Sequence, residues 1–404
     1  MIPDRLRDLA NELDPELRGN ILPYWMEHSP DREFGGFYGH LTHENQVVRD
    51  AGKGAIMHAR ILWTFSAAYR KYPEPEYMDT ARRAYGYIMD HFLDREYGGV
   101  YWELDYRGAA SSPRKQIYAI AFTIYALAEY WMACGETLAL TTATSLFMDI
   151  EVHALDRERN GYTDALSREW KPVEDLRLSE KDQNESKTMN THLHILEAYA
   201  NLYRVWKDPG LAEALENVIG LFLDRFVDTE TNHLNLFFDE NWNLRSSLVS
   251  YGHDIECAWL LHEAAGVLGD PGQVEQTGRL AVDMARENFT GLDADGGLFY
   301  EKFPGENRID TDKHWWPQAE AMVGYFNAYQ LSGEEEFARK AINSWEFIKK
   351  RIVDRRFGEW YWSVNREGIP QTEKEKAGFW KCPYHNGRAC LEMIRRIDET
   401  LENP

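Results

Sequence analysis

Asp31-Arg-Glu-Phe-Gly-Gly-Phe-Tyr38 decides the fold, because it returns along the chain. It comes back as Asp94-Arg-Glu-Tyr-Gly-Gly-Val-Tyr101, Asp156-Arg-Glu-Arg-Asn-Gly-Tyr162 and Asp354-Arg-Arg-Phe-Gly-Glu-Trp-Tyr361. Weaker copies stand at Asp228-Thr-Glu-Thr-Asn-His-Leu234 and Asp293-Ala-Asp-Gly-Gly-Leu-Phe-Tyr300. The six first residues are spaced by 63, 62, 72, 65 and 61 positions. A near-constant period of that size marks a repeat architecture, and Gly-Gly followed by aromatics reads as a tight turn with a short strand.

Two helical runs follow each of the first five copies: 52–71 and 74–93, 115–134 and 137–155, 188–207 and 209–225, 251–268 and 272–289, 312–331 and 333–353. The sixth copy precedes a run at 383–401, whose partner is the N-terminal run at about 4–28. Each chain end completes a pair with the other, which is how a closed ring is stitched. The pattern predicts an all-α (α/α)6 barrel of twelve helices, with short hairpin-like Gly-Gly loops and residues 1–404 in one domain. A superhelical solenoid is the alternative, and it leaves its end helices uncovered.

The 404 residues, 44% hydrophobic, suffice for a large core, and 14 Trp and 22 Tyr supply rings for packing or for stacking on sugars. A net charge of −22 repels nucleic acid and anionic membrane, so neither is an expected partner. No apolar run reads as membrane-spanning, and Met1-Ile-Pro-Asp-Arg-Leu-Arg-Asp-Leu-Ala10 lacks the apolar centre of a signal peptide. Cys134, Cys257, Cys382 and Cys390 are dispersed without a Cys-x-x-Cys pair, which fits a reducing cytoplasm.

Polar and aromatic residues that look out of place fall on the even-numbered runs or at their starts. Run two carries Arg60 inside Gly54-Ala-Ile-Met-His-Ala-Arg-Ile-Leu-Trp63; run four opens Lys115-Gln-Ile-Tyr118. Run six opens Lys187-Thr-Met-Asn190-Thr-His192-Leu-His194, and run eight Ser250-Tyr-Gly-His253-Asp-Ile-Glu256. Run ten opens Asp310-Thr-Asp-Lys-His314-Trp-Trp316-Pro-Gln318-Ala-Glu320, and run twelve Phe379-Trp380-Lys-Cys-Pro-Tyr384-His385-Asn-Gly-Arg388. Asn190 and His194 are four apart and His253 and Glu256 three apart, so each pair shares a helix face. Alternate helices of a two-layer barrel form its inner ring, so these starts converge on one cavity. His192 and His314 read as structural groups at helix ends. Arg60 either pairs with an inner carboxylate such as Glu256 or Glu320 or contacts a ligand. Trp316 and Trp380 read as core aromatics or as sugar platforms.

Imidazole titrates near neutrality and serves as base or acid at physiological pH. Two imidazoles on opposite sides of a planar intermediate can take a proton from one face and return it to the other, which is what epimerisation beside a carbonyl requires. His192-x-His194 splays on a helix and His262-Glu263 lacks a second histidine, so no metal motif stands out. There is no glycine-rich phosphate loop and no Gly-x-Ser-x-Gly elbow, and no cofactor is expected. A glycoside hydrolase and a sugar-binding protein are rival readings. The first needs two carboxylates flanking the scissile bond, whereas Asp254 and Glu256 are two apart and point to different faces.

Thr188-Met-Asn-Thr-His-Leu-His194, Tyr251-Gly-His-Asp-Ile-Glu256, His314-Trp-Trp-Pro-Gln-Ala-Glu320 and Trp380-Lys-Cys-Pro-Tyr-His-Asn-Gly-Arg388 closely resemble the cellobiose 2-epimerases of the N-acylglucosamine 2-epimerase superfamily. The resemblance runs from Gly35-Gly36 to Arg388. It implies an (α/α)6 barrel that acts on the reducing-end glucose of β-1,4-linked disaccharides such as cellobiose, lactose or mannobiose, forming the 2-epimeric mannose unit through ring opening and a cis-enediolate. By motif position it implies His253 and His385 as the acid/base pair and His194 as the proton relay between O1 and O2. Arg60, Tyr118, Asn190, Glu256 and Trp316 are implied around the reacting sugar, Trp380 as its stacking platform, and Asp182 as a contact from the loop before run six. A mannose or N-acylglucosamine 2-epimerase or an aldose–ketose isomerase of the same fold is the alternative. The family pattern Tyr-Ala/Val-Gln-x-Phe stands here as Tyr118-Ala-Ile120-Ala-Phe122, and if that glutamine touches substrate, Ile120 removes a hydrogen-bonding group. The expected partner is a small oligosaccharide, and the expected assembly a monomer or weak homodimer.

Overall fold

The signature is built around backbone that ordinary residues avoid. Gly35 and Gly36 take φ of 78° and 61°, the left-handed region where a Cβ is penalised, and a Cβ on Gly36 would fall 2.7 Å from the Tyr87 ring. The turn closes Pro30 against Phe37, and the other copies close Leu93 on Val100, Leu155 on Tyr162, Leu292 on Leu298 and Val353 on Trp360. In the fourth copy Val227–Asp228 pairs with His233–Leu234.

The computed structural model describes residues 2–402. Helix α1 runs through Ile2–Glu16, a π turn at Leu17–Ile21 and Leu22–His28; α2 is Ala55–Lys71; α3 is Pro75–Tyr87 continued by Ile88–Phe92; α4 is Ile117–Cys134. Then come α5 at Thr137–His153, α6 at Met189–Val205, α7 at Pro209–Leu221 continued by Phe222–Phe226, and α8 at Tyr251–Leu268. The last four are α9 at Pro271–Glu287, α10 at Trp315–Ser332, α11 at Glu335–Phe347 continued by Ile348–Ile352, and α12 at Tyr384–Glu402. The even helices pack side by side in chain order and α12 returns to α2, while α1 closes the outer layer against α11 and α12. This is an (α/α)6 barrel.

Two- and three-residue strands stitch the ring a second time. Lys53–Gly54 pairs with Glu103–Leu104, Lys115–Gln116 with Ala165–Leu166, and Lys187–Thr188 with Phe237–Phe238. Val249–Ser250 pairs with Glu301–Phe303, Lys313–His314 with Ser363–Val364, and Ala377–Gly378 with His40–Leu41 of the first repeat. That last pair excludes an open solenoid. The strands also correct the expected helix starts: Lys115-Gln116, Lys187-Thr188 and His314 precede their helices instead of opening them. The cause is the lysine, whose ammonium reaches back under the preceding hairpin to the first Asp of the signature. Lys53–Asp31, Lys115–Asp94, Lys187–Asp156, Lys313–Asp293 and Lys376–Asp354 are paired at 2.7, 2.8, 2.9, 2.8 and 2.5 Å, with every lysine buried.

The fourth repeat has Val249 in place of that lysine. There His233 Nδ1 lies 2.8 Å from Asp254 Oδ2, and the Leu234 N–H donates to Asp254 Oδ1 at 2.9 Å. Burial works to lower the His233 pKa, but Asp254 outweighs it and raises His233 above the ordinary 6.5. A raised folded pKa means stabilisation that is complete below the unfolded value and is lost as pH rises through the folded one. Between pH 6 and 9, urea denaturation should therefore show a larger fall in unfolding free energy for the wild type than for His233→Gln. Parallel pH curves for the two proteins would remove His233 from this role.

Counting five residues on from the strand lysine, or from Val249, places His58, Ile120, His192, Asp254 and Gln318 in one register. His58, His192, Asp254 and Gln318 accept hydrogen bonds from the hairpin N–H groups of Phe37, Tyr162, Leu234 and Leu298 at 3.2, 2.9, 2.9 and 2.7 Å. Fully buried Ile120 therefore occupies a slot that serves the hairpin, and the concern that it withdraws a hydrogen bond from substrate is corrected. A second correction concerns α4, which at 18 residues and mean hydropathy 1.4 does have the length and apolarity of a membrane span. It is 78% buried, and an inner helix walled on all sides is apolar all round.

Candidate active site

Seven residues beyond the strand lysine (or Val249), five inner helices present Arg60, Phe122, His194, Glu256 and Glu320. In the sixth repeat residues 379–383 intervene between strand and helix, and Arg388 takes the same place. These six side chains form two contacting groups, which Glu197 joins by accepting from His194 and Arg388. Arg60 lies over Phe122 at 4.3 Å, Phe122 against His194 at 4.5 Å, and Arg388 Nη2 donates to Glu256 Oε1 at 2.8 Å and Glu320 Oε1 at 2.7 Å. Arg388 Nη1 also donates to Glu197 Oε1, which accepts from the Tyr384 hydroxyl as well.

All of these groups are buried, so their charges act at low dielectric. Burial pushes the carboxyls up, yet Arg388 keeps Glu320 and Glu197 below the usual carboxylate range. Glu256, pushed up by burial and by the charge on Glu320, is the last of the three to give up its proton. Glu256, Glu320 and His385 place potential ligand atoms within 4.8 Å of one another; the two carboxylates hold the Arg388 guanidinium, and His385 donates to Glu320.

Three histidines are committed through Nδ1. His194 Nδ1 meets Glu197 Oε2 at 3.0 Å, His385 Nδ1 meets Glu320 Oε1 at 2.7 Å, and His253 Nδ1 meets Ser250 Oγ at 2.7 Å. A carboxylate only accepts, so Nδ1 carries the proton in His194 and His385 and Nε2 is left with a lone pair. A hydroxyl donates or accepts, so His253 is free to carry its proton on either nitrogen. Burial lowers all three pKa values. His253, also repelled by His194 and His385, is pushed down to about 3, and His385 to about 3 despite Glu320. The three rings are neutral at pH 7.

Arg60 pairs with neither Glu256 nor Glu320 among the described residues, which overturns the carboxylate-pair reading, because Arg388 takes both. It donates to the Tyr118 hydroxyl at 2.9 Å and to the Trp380 carbonyl at 3.4 Å, and its buried Nε has no hydrogen-bond partner. Trp316 lies 4.8 Å from His253 and 5.5 Å from His385. Gly252 admits that ring, since a Cβ there would come within 2.5 Å of it. Tyr118 sits 4.7 Å from His194 and 6.0 Å from Trp380. Asn190, one turn before His194, holds a buried Oδ1 without a partner. The structure thus gathers the expected residues except Asp182, whose carboxylate is turned into its own loop by Ser179 N at 2.8 Å and Ser179 Oγ at 2.9 Å. Burial is the main cause that raises Tyr300 and Glu301, and the Asp182 charge adds to it. His192 faces away, with Nδ1 on the Thr188 carbonyl and Nε2 on Tyr162 N–H, and His314 stacks on Tyr300 at 3.9 Å.

The family model described as N-acylglucosamine 2-epimerase (GlcNAc 2-epimerase) matches residues 36–389. The chain belongs to this family. It is similar to the cellobiose 2-epimerase of Bacteroides fragilis, 52% identical over 386 residues that cover 96% of this chain and 98% of that one. The cellobiose 2-epimerase of Ruminococcus albus is 42% identical over 96% of this chain and 99% of its own. Among solved structures, cellobiose 2-epimerase from Bacillus thermoamylovorans superposes with a TM-score of 0.91 at 41% identity, covering 96% of this chain and 100% of that one.

For a member of this family, sequence reasoning missed the groups behind the histidines. Glu197, Ser250 and the Glu320–Arg388 pair set which nitrogen of each ring is available. Their signal was present in the register, since Arg388 and Glu320 share the repeat position of His194. The offset at 379–383 hid the alignment in the sixth repeat.

Proposed function

We propose that this chain is a cellobiose 2-epimerase, interconverting the reducing-end glucose and mannose units of β-1,4-linked disaccharides. One observation carries the reading: three buried, neutral imidazoles project from the inner helices, two of them against the Trp316 ring, each with Nδ1 committed to a protein partner and Nε2 left for chemistry. The full-length relatives named cellobiose 2-epimerase support it. Glu256 and Glu320 are clamped by one guanidinium, so they do not flank a scissile bond as hydrolysis demands.

The ring opens first, because only the open aldehyde makes the C2 proton removable. The O1 proton leaves to an imidazole, the C1–O5 bond breaks, and O5 is protonated, with His194 or His385 serving. An Nε2 lone pair, fixed by Glu320 on His385, then takes the C2 proton. The resulting cis-enediolate places negative charge on oxygen beside Arg60, whose guanidinium has no carboxylate partner and stabilises it. His194 moves a proton between O1 and O2. After rotation about C1–C2, His253, protonated on Nε2 while Ser250 donates to Nδ1, gives that proton to the opposite face of C2 and takes another from solvent, while His385 releases the C2 proton it took, so both rings return to neutral. We further infer a cytoplasmic protein, monomeric or weakly dimeric.

A proton held on histidine exchanges with water. In heavy water, cellobiose should yield an epimer carrying deuterium at C2 by NMR, without added nicotinamide and in the presence of a chelator. Epimer formed with C2 wholly protonated, or a strict need for nicotinamide, would end this mechanism.

A further inference from the structure

Glu359 is out of place in two ways. It stands where the first three signatures have Gly36, Gly99 and Gly161, and it adopts their left-handed backbone, with φ of 59°. A glutamate gains nothing locally from that conformation. It is also fully buried, as are Lys381 and Asn386. The Lys381 ammonium and the Asn386 amide both donate to its carboxylate, as does the backbone N–H of Trp360, and Trp25 Nε1 donates to Oε1 at 3.4 Å. The sixth repeat already has the lysine–aspartate pair of the other repeats in Lys376–Asp354, so this second buried pair is additional. What else sets this repeat apart is the segment 379–383 before α12. Lys381 follows Trp380, and Asn386 follows His385.

We propose that Glu359 is a positioning residue. Its carboxylate ties the inserted segment at Lys381 to the first turn of α12 at Asn386, fixing Trp380 through the one and His385 through the other, and the left-handed backbone is the strain tolerated to aim it there. The strand at Ala377–Gly378 ends before Trp380, and the α12 helix begins at Tyr384, so neither element holds the residues between them. The segment's own backbone adds the Gly378 N–H on the Lys381 carbonyl at 3.0 Å. Without Glu359 the stacking ring and the base lose their shared anchor, although neither touches it. This inference rests on the proposed roles of Trp380 and His385 in epimerisation.

The test uses the full chain with the double variant Glu359→Gly/Lys381→Met, which relieves the backbone strain and removes both buried charges. Its thermal midpoint should stay near the wild-type value or exceed it, while kcat for cellobiose falls by roughly 10- to 100-fold, the range expected from small misplacement of reacting groups. Hydrogen–deuterium exchange should rise across residues 379–388. Lys53→Met/Asp31→Asn, which removes an equivalent buried pair in the first repeat, should lower the midpoint and leave exchange at 379–388 unchanged. Should the double variant fail to fold, Glu359→Gln is read in the same way. A folded variant with kcat within twofold of wild type, or with unchanged exchange at 379–388, overturns the proposal. If the wild type does not epimerise cellobiose at all, the proposed function falls, and the exchange measurement alone decides whether Glu359 anchors the segment.

Discussion

His385→Ala is expected to lower kcat for cellobiose epimerisation by about 10²–10⁴-fold, with the helical circular dichroism and thermal midpoint close to wild type. The ring is the base that Glu320 holds with its Nε2 lone pair available. His253→Ala should act with similar force, since its exchangeable proton serves the other face. His192→Ala is the contrast. Both of its nitrogens bond backbone groups, so its loss should cost stability before turnover. The pH profile gives an independent check. With both pKa values pushed down to about 3, protonation should not silence the enzyme at pH 5.5 as an ordinary histidine at 6.5 would. Wild-type turnover in either alanine variant, or an acid limb centred near 6.5, would count against the assignment.

Arg388→Met is expected to lower the unfolding free energy by about 3–5 kcal/mol, because removing one partner leaves buried charge uncompensated. Arg388 faces Glu197, Glu256 and Glu320, all buried, and methionine retains much of the stem while withdrawing the charge. The loss should shrink as pH falls, because burial raises the abandoned carboxyls once Arg388 no longer holds Glu320 and Glu197 down, and they take up protons. An exposed pair such as Arg279–Glu275 is the control, since a surface ion pair contributes about 0–1 kcal/mol. Urea denaturation at pH 7 and pH 4.5 measures both. A loss under about 1 kcal/mol for Arg388→Met would mean that the carboxylates are held by something else.

The ring architecture was legible because it is written in a local code. Two consecutive residues with positive φ favour Gly-Gly or Asn-Gly, and that demand recurs in the first, second, third and sixth hairpins, while the fourth and fifth have one such residue each, Asn232 and Gly296. Helical periodicity between hairpins sufficed to separate inner from outer helices. His194, His253, His385, Arg60 and Trp316 stood out because a polar or bulky group in an apolar run has few reasons to be there. The reading failed where a residue's meaning depends on a neighbour far along the chain. The strand lysines passed for helix starts because their aspartates lie 20 to 31 residues back. The departure at Ile120 from the family's glutamine raised a question about substrate, because a single helix does not show that its position serves the neighbouring hairpin.

The sequence alone therefore determined the repeat, the closed ring of twelve helices and the set of side chains sent toward its axis, since each follows from backbone propensity and spacing within one repeat. Only the tertiary structure decided which of the two inner arginines is neutralised, which nitrogen each histidine offers and how Trp380 and His385 are held. Those properties come from Arg388 meeting Glu256 across 132 positions, His385 meeting Glu320 across 65, and Glu359 reaching Lys381 and Asn386 across 22 and 27. At such separations burial and Coulomb interaction depend on the closed barrel, and no local pattern carries them.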